Sequence, residues 1–177
     1  DICKLILNTP IKSFEKITIK TPFKVKIPDA RFSRLGHVDQ SYMITQWYPK
    51  PAVYDKDGWH IMPYLSQGEF YSEFGSFDVS ITLPRNYTVG ATGDLQNKGE
   101  HVRLNEIAEI TWNRGWNKTF ENDMSFPESN KKTKTIRFTQ EKTHDFGWFA
   151  DKRYHVLKGE VELPYSGRTV TLYTMFT

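Results

Sequence analysis

Alternation of apolar and polar residues sets the pattern of this chain. In Phe77–Leu83, the side chains of Phe77, Val79, Ile81 and Leu83 fall on one side, and Asp78, Ser80 and Thr82 on the other. That period of two is the signature of a half-buried strand. Lys134–Gln140 repeats it, with Ile136 and Phe138 opposed to Arg137 and Thr139. The same reading predicts strands at Ile2–Leu7, Phe14–Ile19, Phe23–Ile27, Tyr42–Gln46, Glu69–Leu83, Tyr87–Thr92, Thr133–Lys142, Trp148–Ala150, Tyr154–Leu157 and Arg168–Met175. Turn formers separate them at Pro28-Asp29, Asp57-Gly58, Pro84-Arg85-Asn86, Gly93-Asp94 and Ser166-Gly167. Many short strands with this punctuation predict a mainly β fold, an antiparallel β-sandwich or saddle rather than a parallel α/β sheet.

One stretch breaks the rhythm. From Arg103 to Asn122, Leu104, Ile107, Ile110-Thr111 and Trp112 recur about one helical turn apart. This predicts a short inserted helix around 103–122, anchored by Trp112 and Trp116 and fraying where Gly115 and two asparagines interrupt it. No repeat or linker divides the chain, so residues 1–177 read as one domain.

Composition narrows the picture. A hydrophobic fraction of 38% is modest, but aromatics reach 15% and each large ring buries about 150–250 Å2. A formal charge of +3 comes from 24 basic and 21 acidic residues, interspersed rather than gathered on an arm. That balance argues against nucleic acid as a partner, and the Lys131, Lys132 and Lys134 cluster reads as a solvated turn. The single cysteine, Cys3, excludes an internal disulfide and reads as a small apolar residue in a buried strand. No apolar run reaches the ~18–20 residues of a transmembrane helix. The opening residue, Asp1, stands directly before a predicted strand and suggests a processed or excised start.

Catalytic signatures are missing from the sequence. His37, His60, His101, His144 and His155 form no HExxH and no helical ligand spacing. There is no GxSxG elbow and no phosphate loop. His144-Asp145 sets a carboxylate directly after a histidine, and strand neighbours point to opposite faces. Glu69 and Glu73 would share a face of an extended segment, as a groove lining, a cation site or a solvated sheet edge. Asp55 and Asp57 read as turn residues. The aromatic patch Trp47-Tyr48-Pro49, Trp59 and Tyr64 fits either a carbohydrate- or peptide-binding surface or packing against the sandwich end or another domain.

Three aromatic motifs stand in order along the chain. ITQWYPKPAVYD is followed by GEFYSEFGSFDVSITLPRNYTVGATGDL and then by TIRFTQEKTHDFGWFADKRYHV. Together with FSRLGHVDQSYMITQWYP they resemble the N-terminal β domain of aminopeptidase-N-like (gluzincin) zinc metallopeptidases, in a bacterial, Bacteroides-type branch, over roughly Lys24–Thr177.

The resemblance implies a non-catalytic domain, missing its first strands, that caps and shapes a peptide cleft. Zinc, HExxH and the general base would belong to a catalytic domain beginning near Thr177, which would be this domain's main partner. No catalytic residue, metal ligand or cofactor is then expected within this chain. Gln46 matches the motif's substrate-pocket glutamine, and Tyr48 stands where many members carry an amine-binding glutamate. Gln46 and Tyr48 are therefore the expected substrate-binding positions, with strict aminopeptidase specificity in question at Tyr48. Export to the periplasm or cell envelope is implied in the same way. The alternative is an independent glycan- or peptide-binding module using Trp47, Tyr48, Trp59 and Tyr64.

Overall fold

The strongest alternating run becomes the longest ladder. In the computed structural model, which describes residues 2–30, 35–63, 65, 70–115 and 125–177, the early strands are β1 Gly36–Val38, β2 Ser41–Ile44, β3 Val53–Asp55 and β4 Gly58–His60. They are followed by β5 Gly75–Pro84, β6 Thr88–Ala91, β7 Asp94–Leu95 and helix α1 Lys98–Arg114, then β8 Thr133–Thr143, β9 Trp148–Asp151, β10 His155–Glu162 and β11 Thr169–Phe176. The fold is mainly β, with one helix and several antiparallel sheets, none of them closed.

β5 pairs antiparallel with β8, so that Val79 faces Phe138 and Ile81 faces Ile136 across the ladder. Two sheets carry the architecture, one ordered β1-β2-β9-β6 and the other β5-β8-β7. Ile81, Ile136 and Phe138 from the second meet Val89 and Ala150 from the first, with Tyr87 and Phe146 closing the core. Apolar inner faces and polar outer faces are what the alternation in β5 and β8 required. Where the chain turns from β6 into β7, Gly93 adopts φ +89, and a Cβ there would lie 2.5 Å from the carbonyl oxygen of Thr139. Only glycine lets this turn lie so close to β8.

The helix occupies the expected place between strands, but it starts earlier, at Lys98 instead of Arg103. Its first turn is polar, so apolar periodicity could not mark it. Asn97 fixes the start from outside, its Oδ1 accepting the Arg137 N–H at 2.7 Å from β8. Leu104, Ala108 and Thr111 form the buried stripe, and Leu104 and Ala108 share a second small core with Val156 of β10. Ile110 and Trp112 are exposed, and neither belongs to the buried stripe. The stripe at i, i+4 and i+7 uses the smaller residues. Trp116 and positions 116–122 of the expected helix lie outside the described residues.

The largest difference lies at the beginning of the chain. Ile2–Leu7, Phe14–Ile19 and Phe23–Ile27 form no ladder, and Cys3 is exposed rather than held in a buried strand. Phe14 instead takes φ 63 within a turn in which the Glu15 N–H reaches the Lys12 carbonyl at 3.0 Å. A strand is not a local structure: its pattern needs an edge to pair with, which these segments lack among the described residues. Four short strands, β1, β3, β4 and β7, went unmarked in the sequence. β3 and β4 form a hairpin around the expected Asp57-Gly58 turn, pairing Tyr54 with Trp59. β10 runs on to Glu162 through polar residues, held by pairing to β11.

Candidate functional site

At the end of β2, Ile44 is buried and pairs with Trp148. Two residues later Gln46 takes φ 52, a left-handed conformation uncommon outside glycine and asparagine. That bend turns Trp47 and Tyr48 back onto the core, where both are half-buried. The Trp47 Nε1–H donates to the Phe146 carbonyl oxygen at 3.0 Å. The Tyr48 hydroxyl donates to Asp145 Oδ1 at 2.9 Å, and that oxygen also accepts the Phe146 N–H at 2.8 Å. Lys50 Nζ completes the knot, 3.1 Å from Asp145 Oδ2 and 3.0 Å from Ser72 Oγ. Rings continue inward from it: Trp47 on Tyr48 at 5.5 Å, Tyr48 on Phe77 at 5.5 Å, and Phe77 on Phe146 at 5.9 Å.

The electrostatics follow from this packing. Burial pushes the Asp145 carboxyl up, but the Phe146 N–H, Lys50 and Tyr48 outweigh it and hold the group below its ordinary value. Burial, reinforced by Asp145, pushes the Tyr48 hydroxyl above its usual range, so it stays a proton donor. An aspartate depressed in the folded state contributes stability above its unfolded pKa and loses it as pH falls through the folded one. Asp145→Asn is therefore expected to lower the unfolding midpoint at pH 7. The gap from the wild type should narrow once the pH drops below about 4. Chemical denaturation at a series of pH values checks this; a gap that widens in acid would contradict it.

Gln46 presents a different feature. Its Oε1 is buried without a hydrogen-bond partner, as is Trp148 Nε1. A buried acceptor left unpaired costs about 1–3 kcal/mol, and the left-handed backbone adds a further cost. Gln46 thus combines a left-handed backbone with a buried acceptor that makes no hydrogen bond among the described residues.

The remaining expected positions disperse. Trp47 and Tyr48 turn inward, whereas Trp59 points out and stacks at 4.9 Å on Tyr54, each ring 66% exposed. Tyr54 carried no sequence signal beyond its alternation with Val53. Tyr64 and Glu69 lie outside the described residues, and Glu73 is exposed. Asp55 accepts the Asp57 N–H at 2.9 Å, the turn role expected of the pair, and holds His60 Nε2 at 2.8 Å. His144 stacks on Phe74 at 5.6 Å, while its neighbour Asp145 points into the knot. Lys134 places its ammonium 2.7 Å from Glu100 instead of in solvent. No group of three or more His, Cys, Asp or Glu side chains converges among the described residues.

A separate open groove of about 1040 Å3 runs between β6, β7, α1 and the β10–β11 hairpin. Leu104, Phe149, Tyr173 and Met175 line it, with Lys158 and Arg168 at the rim; neither Gln46 nor Tyr48 does. No helix is long and apolar enough to cross a membrane among the described residues. Comparison with protein-family models, curated proteins and solved structures finds no match to this chain.

Proposed function

We propose that this chain is the non-catalytic β domain of an aminopeptidase-N-like zinc metallopeptidase, capping and shaping the cleft in which a neighbouring catalytic domain hydrolyses peptides. One observation carries the reading. Two of the motifs that carry the resemblance, those containing QWYPK and HDFGW, are about a hundred positions apart and interlock through Trp47–Phe146 and Tyr48–Asp145. They act as one structural unit, which presents Gln46 at its margin with a strained backbone and an unpartnered acceptor. Once the bend relaxes and exposes that oxygen, a peptide amine or amide N–H is the donor it would take. Tyr48, its hydroxyl occupied by Asp145, shapes the wall rather than binding charge. In this reading the metal belongs with the catalytic domain, as the resemblance implies.

The sequence encoded just after Thr177 is the first test, and an HExxH with a downstream glutamate is expected there. In the protein carrying that domain, Gln46→Ala should lower kcat/KM by about tenfold, the loss of one hydrogen bond in the cleft. Gln46→Gly should do the same while unfolding at equal or higher denaturant, since glycine relieves the left-handed strain. Unchanged kinetics in both variants would remove Gln46 from the cleft.

A second reading rests on the exposed Tyr54–Trp59 pair: a glycan- or peptide-binding module. Saturable binding of oligosaccharides by the chain alone, lost in Trp59→Ala, would favour it over the capping role.

A further inference from the structure

Residues 16–27 alternate between apolar and polar side chains on either side of Thr21-Pro22, and they have no strand partner among the described residues. Ile17, Ile19, Phe23, Val25 and Ile27 occupy the odd positions; Lys16, Thr18, Lys20, Pro22, Lys24 and Lys26 occupy the even ones. Ile17 is 47% exposed, Ile19 59%, Phe23 49% and Val25 40%. Among the described residues no strand pairs with this segment, and no carboxylate forms an ion pair with its four lysines. The Phe23 ring lies 6.0 Å from Trp47, and Ile27 is half-buried.

We propose that residues 16–27 form a docking strand for a partner polypeptide segment whose residues alternate between apolar and acidic. Apolar side chains and backbone polar groups are exposed together here, and a pairing strand satisfies both at once. The lysine face selects among occupants. A second copy of the same segment, paired with its apolar face aligned, would bring two lysine-bearing faces together, and like charges opposed across a sheet destabilise it. A lipid surface would cover the apolar face but leave backbone N–H and C=O groups unpaired. Acidic residues at alternate positions of the partner complement Lys16, Lys20, Lys24 and Lys26.

The geometry also selects the edge. In a strand, the N–H and C=O of each residue point to one edge and those of its neighbours to the other. Pro22 removes a donor from the even edge, so the partner pairs along the odd edge, through Ile17, Ile19, Thr21, Phe23 and Val25.

Calorimetric titration of the full chain with a synthetic peptide alternating valine and glutamate tests this. Saturable binding is expected, with about tenfold weaker binding in Thr21→Pro, which removes an odd-edge donor, and little change in Thr18→Pro, which removes an even-edge one. The two substitutions are chemically identical, and neither touches a ladder of the fold. A valine–lysine peptide should bind least. No binding, equal binding of a scrambled peptide, or equal loss in the two proline variants would overturn the proposal. So would a concentration-dependent dimer abolished by Ile19→Lys, which assigns the segment to a second copy, or selective binding to phosphatidylserine vesicles, which assigns it to a membrane.

Discussion

Asp151→Ala should remove about 3–5 kcal/mol of folding stability, the usual cost of stripping one partner from a buried ion pair. Asp151 is fully buried at the end of β9. Its Oδ1 accepts the Arg153 backbone N–H at 2.7 Å and Nε–H at 3.1 Å, while Nη2 reaches Oδ2 at 2.8 Å. The guanidinium lies 3.7 Å from the centre of the Phe126 ring and is itself largely enclosed. Burial pushes the Asp151 carboxyl up, yet the bonds from Arg153 and Ser41 prevail and hold it below its ordinary value. Removing the carboxylate therefore takes away the bonds that Asp151 makes to a largely enclosed guanidinium and to the Arg153 main-chain N–H. Asp151→Asn keeps the shape and one acceptor, so its loss should be smaller. The double variant Asp151→Ala/Arg153→Met should recover part of the loss, because the enclosed guanidinium is gone. Urea unfolding of the three variants gives the ranking. Against a total of about 5–15 kcal/mol for a domain of this kind, the single alanine variant should be close to unfolding at 37 °C. A loss below about 1 kcal/mol would mean that water reaches the pair.

That ion pair had no sequence signal, which marks the limit of pattern reading. Alternation found β5 and β8 because each strand has one buried face, and the register puts Val79 on Phe138 as a half-buried ladder requires. It found residues 2–27 equally readily, and no ladder forms there, because alternation records what a strand would bury and not whether an edge is available. It missed the start of α1 because Lys98–Val102 is mostly polar and its position is set by Asn97 on β8, a contact about forty residues away in the chain. The knot shows the same division. Gln46 and Tyr48 stood out in the sequence only through the resemblance of their motif, and Asp145 only as the neighbour of His144. That Asp145 joins Tyr48, Lys50 and Phe146 is a tertiary fact; the available clue was a polar residue directly before a phenylalanine in an aromatic cluster. Gln46's left-handed backbone had no clue at all, since glutamine is not a turn-forming residue.

Phe146→Ala is the second large effect, also expected to cost about 3–5 kcal/mol. Phe146 is completely enclosed, the largest such side chain among the described residues, and lies where the β1-β2-β9-β6 and β5-β8-β7 sheets share their core. Truncation leaves a void between Phe77, Val89 and Ala150, lined by strands that cannot close over it without breaking their ladders. The main chain adds a second consequence. The Phe146 carbonyl holds Trp47 and its N–H holds Asp145, which holds Tyr48. Loosening this residue should therefore release the segment that presents Gln46, which sits one residue before Trp47. Phe146→Leu preserves most of the volume and should lose less than about 1.5 kcal/mol. Two readouts distinguish packing from the knot: the urea midpoint follows the core, and hydrogen exchange at the Trp47 indole N–H follows its bond to the Phe146 carbonyl. Faster exchange in the alanine variant with near wild-type protection in the leucine variant is expected. Unchanged exchange in Phe146→Ala would show that Trp47 and Tyr48 are held by contacts other than the HDFGW turn, and the interlocked motifs would then not act as one unit.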